Sequence, residues 1–428
     1  MRVCIRAGKK SEREEVFPLP VSKSICNRML VMDFLAGEEL PLSDGLPEDV
    51  TLLRQALRDI RQGKTTFEAG NAGTVARFLT ALLSLLEGEW TINVDERMNH
   101  RPFSPLITEL EAMGARIKPC SATALFPLRI KGGGLVSSGI RDIASGLSSQ
   151  FISALCLVAP YVGNGIRLRL HPMQVSLPYI RMTLELMKEN GAEVSFEENI
   201  ITVREGKYDA NIRRVENDWS AAAFAYAAVC LNRNISVRLE NLYENSIQGD
   251  MAVRDIFEKH FQIVSSFEGD CLLIRHSCRL SSESEDCHID FRDCPDLFLP
   301  VLICGVFEKN CFVFDGLDTL QYKESDRLNA IERELEKVGI RFSRTANGIS
   351  FDRERHFGFC ADKPVQFSSH KDHRIAMALS LLGFRCREII IEDATCVRKS
   401  FPMYWESFSR FADVKIMDYF CQTENDGL

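Results

Sequence analysis

Lysine and arginine recur in this chain at places where they could bind an anion together. Lys23 and Arg28 stand in PVSKSICNR, Arg77 in GNAGTVAR and Arg374 in KDHRIAM, short polar openings that lead into apolar runs. A helix starting at such an opening leaves its first N–H groups unpaired and carries the positive end of its dipole there, which favours an anion. Arg101, Lys323, Arg327 and Lys399 fall in connecting loops or first turns. Two carboxylates stand among these cations, Asp296 in CPDLFLP and Glu324 in KESDR. Asp296, at a helix opening, could serve as an N-terminal cap, and Glu324 as a salt-bridge partner.

The elements that must position these groups show a repeat. The openings PVSKSICNR, GNAGTVAR, SGLSSQF, NDWSAAAF, CPDLFLP and KDHRIAM each precede a run that is apolar almost all round, such as 78–86, 221–231 and 375–382. Helices of that kind are buried. They alternate with amphipathic helices that end near Gly or Phe and run at once into a β-rich strand. The clearest are PLITELEAMGARIKP, YIRMTLELMKENGAEVSF, MAVRDIFEKHFQIVSS and RLNAIERELEKVGIRFSR, with weaker copies at DVTLLRQALRDIRQGKTTFE and FPMYWESFSRFADVKIM. Glycine stops at 114, 191 and 339 imply a unit of about 75 residues. Six units, three per domain, predict a pseudo-symmetric α/β protein.

Composition narrows the function classes. With 428 residues, 45% hydrophobic and 26% charged, the chain is long enough for two domains and unlike a disordered or fibrous one. Net charge is −8, so no general basic field favours nucleic acid, and an anion site must be built locally. The first sixteen residues carry eight charges, and the longest apolar run, 221–231, is short of the roughly 20 residues a bilayer span needs. A cytoplasmic protein with no membrane contact is expected. The fifteen cysteines contain no Cys-x-x-Cys and read as reduced, mostly buried thiols. Cys271, Cys278, Cys287, His288 and Cys294 fit no zinc spacing, so no metal is assigned.

Several motifs fail on inspection. Gly63-Lys64-Thr65 lacks the upstream glycine of a phosphate loop and follows a helix; Gly132-Gly133-Gly134 lacks the third spaced glycine of a dinucleotide fingerprint. Gly146-Leu147-Ser148-Ser149-Gln150 has Gln where a nucleophile elbow needs Gly, so its hydroxyls read as ligand donors. His370 and His373, three apart with no Glu beside the first, are not a zinc-protease helix.

Taken in order from Pro20 to Pro402, the motifs resemble those of the enolpyruvyl transferases, most closely the branch whose acceptor is shikimate 3-phosphate. The resemblance is carried by Pro20–Arg28, Gly70-Asn71-Ala72-Gly73-Thr74 with Arg77, Arg101-Pro102, Ser148-Ser149-Gln150, and Ser176 with Pro178-Tyr179. It continues through Pro295-Asp296, Lys323–Arg327, Asp372-His373-Arg374, and Lys399 with Phe401-Pro402. It implies two pseudo-symmetric domains of three βαβαββ units each, with buried parallel helices, an inside-out α/β barrel. The implied domains are 1–19 with 218–428, carrying the base and the donor-site cations, and an inserted 20–217, carrying most acceptor ligands. It implies transfer of the carboxyvinyl group of phosphoenolpyruvate to the 5-hydroxyl of shikimate 3-phosphate, releasing phosphate, with no cofactor. A monomer acting on these small molecules is expected.

The resemblance also implies roles residue by residue. Shikimate 3-phosphate would be held by Lys23, Ser24, Arg28, Ser148, Ser149, Gln150, Ser176, Tyr179, Asp296, Thr319 and Lys323. Phosphoenolpyruvate would be held by Lys23, Asn71, Gly73, Arg101, Gln150, Arg327, Arg374 and Lys399. Asp296 is the candidate base for the 5-hydroxyl, and Glu324 and Lys23 are the candidates for proton handling at the donor methylene. Forked guanidiniums and ammoniums offset the mutual repulsion of two anionic substrates, and Gly73, lacking a Cβ, admits a close approach. The chain departs from the family pattern at Val21, Cys26, Leu177 and Thr319, and Thr319 puts one acceptor contact in question. The related UDP-N-acetylglucosamine enzyme typically has Lys-Asn where Lys23-Ser24 stands, and a reactive loop cysteine; before Arg101 this chain reads DERMNH. RNA 3′-terminal phosphate cyclase, from another class, needs a nucleotide-linked histidine that the Asp-His-Arg setting of His373 does not suggest.

Overall fold

The computed structural model describes residues 1–8, 13–42, 45–143, 149–171, 176–209, 214–277 and 287–417. The chain divides into two compact units, one of Met1–Val21, Glu216–Ser246 and Asp250–Leu428, the other of Ser22–Val215 with Ile247–Gly249.

The discontinuous unit holds three open, four-stranded sheets with one strand plan. In the first, Arg13–Val16 pairs parallel with Ile235–Glu240, followed by antiparallel Cys271–His276 and Ile263–Glu268. Cys287–Asp290, Cys311–Asp315, Ile349–Asp352 and Ser343–Arg344 repeat that order. So do Val365–Ser368, Ile389–Glu392, Arg2–Ala7 and Ala412–Met417. The parallel pair in each sheet requires a crossover, which a helix supplies, whereas the antiparallel strands need only short connections.

The crossover helices are the apolar ones. Trp219–Leu231 is buried at every position, because Ala, Phe, Tyr, Val and Leu leave it no polar face. It packs on Phe298–Glu308, which packs in turn on His373–Ser380. The amphipathic helices Val253–Phe261 and Arg327–Glu336 bury one side only.

The contiguous unit holds two sheets of the same plan. Their orders are Thr66–Glu68, Gly88–Asn93, Leu128–Gly132, Arg116–Pro119, and Arg141–Ile143, Ile166–Leu170, Ile200–Val203, Val194–Glu197. Its buried helices Lys23–Ala36, Gly73–Leu85 and Ser149–Val158 pack on one another. The α/β architecture of repeated units with helices inside is the expected one, with one local difference. The segment after the amphipathic helix Glu48–Arg61 does not return to a sheet of its own repeat: Thr66–Glu68 pairs parallel with Gly88–Asn93 and so opens the next one. Among the described residues that first repeat contributes two helices and no four-stranded sheet.

Candidate active site

In the discontinuous unit, three elements bring Asp296, Glu324, Arg327, Asp372 and Arg374 together. Asp296 lies in the short turn Pro295–Leu297 before a buried helix, Arg327 opens the helix Arg327–Glu336, and Arg374 lies in the first turn of His373–Ser380. Asp296 does not cap its helix. Its Oδ1 accepts from Arg327 Nη1 at 2.8 Å and its Oδ2 from Arg374 Nη2 at 2.9 Å, with Lys323 Nζ at 3.6 Å. Glu324 accepts from Arg327 Nη2 at 2.7 Å and lies 3.2 Å from Lys399 Nζ.

Arg327 is the hub, since its Nε also donates to Asp372 Oδ2 at 2.9 Å, an oxygen that Ser325 Oγ reaches at 3.0 Å. Burial works against the Arg327 charge, yet Asp372, Glu324 and Asp296 outweigh it and hold the guanidinium pKa above its usual value. Burial pushes the Lys323 ammonium down, opposed by Asp296. Three carboxylates thus quench the mutual repulsion of four cations, so a cationic cluster can persist in an acidic chain. Thr319 is buried in the turn before Lys323, and its Oγ1 has no hydrogen-bond partner among the described residues. Asp250, also buried, accepts from Ser220 Oγ. Burial and the nearby Asp296 charge push its carboxyl up to about 6, with Arg374 opposing.

In the contiguous unit, helix openings supply the site. Lys23 begins one buried helix and Gly73 another, and neither opening has a side-chain cap. Lys23 Nζ lies 3.2 Å from Asp49 Oδ2. Arg28, one turn from Ser24, is buried: it donates to the Ser24 carbonyl at 2.7 Å, Thr183 Oγ1 at 2.7 Å, Ser153 Oγ at 3.2 Å and the Tyr179 carbonyl at 3.2 Å. Burial lowers its pKa to about 10. Arg77, one turn from Gly73, donates to Gln150 Oε1 at 2.6 Å and the Pro102 carbonyl at 2.7 Å, between the rings of Phe103 and Phe151.

The space a Cβ would take at Gly73 is filled by arginine: Arg77 Nη1 would stand 2.5 Å away and Arg101 Nη1 2.6 Å. A side chain here would have to push aside the flexible ends of two arginines. Ser176, at φ 61°, begins the helix Leu177–Glu189 from a left-handed backbone. Ser149 opens its helix beside Gln150, and Asn71 is partly exposed in the loop before Gly73. Ser148 lies outside the described residues.

Four contributors were missing from the site expected of the sequence. Arg77 stands as a cation at a helix opening, and its one-turn spacing from Gly73 is the signal that could have found it. Asp372 precedes His373-Arg374 as a helix-capping type and does accept from Arg374 N at 2.9 Å, which hid its second role toward Arg327. Asp49 reads as a first-turn acid complementing a helix dipole. Asp250 carried no signal.

A family model described as EPSP synthase (3-phosphoshikimate 1-carboxyvinyltransferase) matches residues 48–408. A 3-phosphoshikimate 1-carboxyvinyltransferase of Bacteroides fragilis is 34% identical over 404 residues, spanning 94% of this chain and 96% of that protein. One from Syntrophobacter fumaroxidans is 30% identical over 415 residues, spanning 92% and 96%. Among solved structures, EPSP synthase from Acinetobacter baumannii superposes with a TM-score of 0.75 at 23% identity, covering 97% of this chain and all of that one. The enolpyruvyl transferase NikO from Streptomyces tendae reaches 0.72 at 12% identity, covering 97% and 98%. The structural likenesses speak for the fold; the family match and the sequence relatives, each covering most of the chain, show that it belongs to the EPSP synthase family.

Proposed function

We propose that this chain transfers the carboxyvinyl group of phosphoenolpyruvate to the 5-hydroxyl of shikimate 3-phosphate, the reaction of its family, and that Asp296 is the base. The observation that carries this reading is Asp296 itself, a carboxylate held between two guanidiniums and a third cation. Arg327 and Arg374 hold it by hydrogen bonds, and an incoming anionic donor competes for those same guanidiniums. As the donor draws them, Asp296 is left free to accept the hydroxyl proton.

The hydroxyl oxygen then bonds to C2 of phosphoenolpyruvate while its methylene carbon gains a proton. In the second half the bond from C2 to the phosphate oxygen breaks and the methyl carbon gives a proton back. Glu324, bonded to Arg327 and 3.2 Å from Lys399 Nζ, is one proton carrier and Lys23 the other. Lys323, Thr319, Arg28, Ser149, Gln150, Ser176 and Tyr179 take the acceptor in this reading, and the buried Thr319 Oγ1 has the missing partner such a role supplies. Arg101, Arg327, Arg374 and Lys399 take the donor, with Asn71 and Gly73. The discontinuous unit thus carries the base and most donor cations, the contiguous unit most acceptor ligands.

No helix among the described residues is long and apolar enough to cross a membrane, which fits a cytoplasmic monomer acting on small molecules. The test is phosphate release with shikimate 3-phosphate and, separately, with UDP-N-acetylglucosamine as acceptor. Release only with the second would overturn the reading.

A further inference from the structure

His370 and Lys371 both adopt left-handed backbone, at φ 51° and 55°, immediately before Asp372. Two consecutive non-glycine residues in that region are costly and persist only where surrounding contacts enforce them. The enforcing contacts come from the helix Arg327–Glu336. Glu334, buried two turns along from Arg327, accepts from the Ser368 N–H at 2.9 Å and Lys337 Nζ at 2.6 Å, and its Oε1 accepts from His370 Nε2 at 2.8 Å. Ser368 Oγ accepts from the His370 N–H at 3.1 Å and Ser369 Oγ from the Lys371 N–H at 3.2 Å. One helix therefore grips the turn at both ends, by Glu334 at its start and by Arg327 on Asp372 at its finish. Neither Glu334 nor His370 belongs to the catalytic cluster.

We propose that Glu334 and His370 are positioning residues for the donor site: their hydrogen bond sets the left-handed turn that places Asp372 against Arg327 and Arg374 against Asp296. The inference rests on reading Arg327 and Arg374 as donor ligands. The clamp acts on one substrate because the turn feeds Asp372 and Arg374 rather than the acceptor groups. Alanine at 370 removes the hydrogen bond and disfavours the left-handed backbone; asparagine is too short to reach Glu334 but tolerates that backbone.

The experiment measures kcat and both Michaelis constants for His370→Ala, His370→Asn, Glu334→Gln and an Arg374→Ala control, with thermal midpoints to confirm folding. His370 is partly exposed, so its variants test the idea even if Glu334→Gln is unstable. His370→Ala should raise the phosphoenolpyruvate constant about tenfold, a displacement effect on a charged contact, and leave the shikimate 3-phosphate constant within about twofold. His370→Asn should recover only the part of that loss that comes from backbone strain, and Glu334→Gln should raise the same constant. Equal rises in both constants, a lowered thermal midpoint with unchanged kinetics, or full recovery with asparagine would overturn the proposal. If Arg374→Ala raises the donor constant while the clamp variants do not, the clamp fails alone; if Arg374→Ala leaves it unchanged, the donor-site reading fails with it.

Discussion

Alanine at position 73 would set a methyl group 2.5 Å from Arg77 Nη1, 2.6 Å from Arg101 Nη1 and 2.8 Å from Arg101 Cζ. Ordinary contact needs about 3.5 Å, so both guanidiniums must retreat by about 1 Å. Arg77 is the harder to move, with hydrogen bonds to Gln150 and the Pro102 carbonyl and aromatic rings on both sides. Arg101 has a long contact to Met98 Sδ at 3.5 Å, and its Nε has no partner among the described residues. Arg101 therefore yields more readily, while the retreat of Arg77 strains its bond to Gln150. A hydrogen bond to a charged group is worth about 1.5–3 kcal/mol, so losing one Arg101 contact to the donor should raise its Michaelis constant roughly tenfold to a hundredfold. Displacement rather than deletion favours the lower end. Phosphate release is measured against phosphoenolpyruvate at saturating shikimate 3-phosphate, then with the substrates exchanged. Glyphosate inhibition is read on the same variant, and should weaken further if that longer molecule shares the donor site, as the family resemblance implies. A donor constant and a glyphosate response both within about twofold of the parent would refute the placement of Gly73 and Arg101 at the donor.

Three further outcomes follow from the geometry. Asp296→Asn should retain shikimate 3-phosphate binding by calorimetry yet lose turnover by on the order of 100-fold or more, because the amide cannot accept the hydroxyl proton; turnover within about threefold removes Asp296 as base. Thr319→Val deletes a buried hydroxyl without a protein partner, so the thermal midpoint should hold or rise while the shikimate 3-phosphate constant increases several-fold; a fall in stability with unchanged kinetics would contradict its assignment. Asp250 titrates near 6 when folded against 3.8 for the ordinary carboxyl, so the folded state favours its protonated form. Stability is fully present below about 4 and is lost as pH rises through about 6, by up to roughly 3 kcal/mol. Asp250→Asn should therefore gain thermal stability over the parent at pH 7.5 and little at pH 4.5; a gain independent of pH would show that Asp250 does not titrate in this window.

The helix openings were legible because a helix apolar on every side can show polar groups only at its ends, and Lys23, Gly73, Asp296 and Arg374 sit at such ends. The repeat was legible through its stops: Gly191 and Gly339 end amphipathic helices at φ 82° and 78°, where a side chain would be strained. What stayed hidden was pairing across the repeat. Arg327 and Asp372 are 45 residues apart, Lys23 and Asp49 are 26, and no periodicity links them. Asp372 also satisfied a cheaper explanation as a helix cap. KTTFE looked like the closing strand of its own helix because alternation gives a strand but not its neighbour; the parallel partner Gly88–Asn93 decides that.

The sheet that joins both ends of the chain has a consequence for how the protein is made. Arg2–Ala7 is inserted between Ile389–Glu392 and Ala412–Met417, so a strand made early finds both neighbours only after nearly 400 further residues have been added. At 5–20 residues per second that wait is roughly 20–80 s, during which residues 22–215, with their sheets and helices complete in one stretch, can already fold. Until then the early strand presents bare N–H and C=O groups on both edges, an invitation to pair with another chain. A stop codon before Ala412 would leave one of those edges open for good, so such a truncation should favour aggregation even though it removes no residue of the cluster around Arg327.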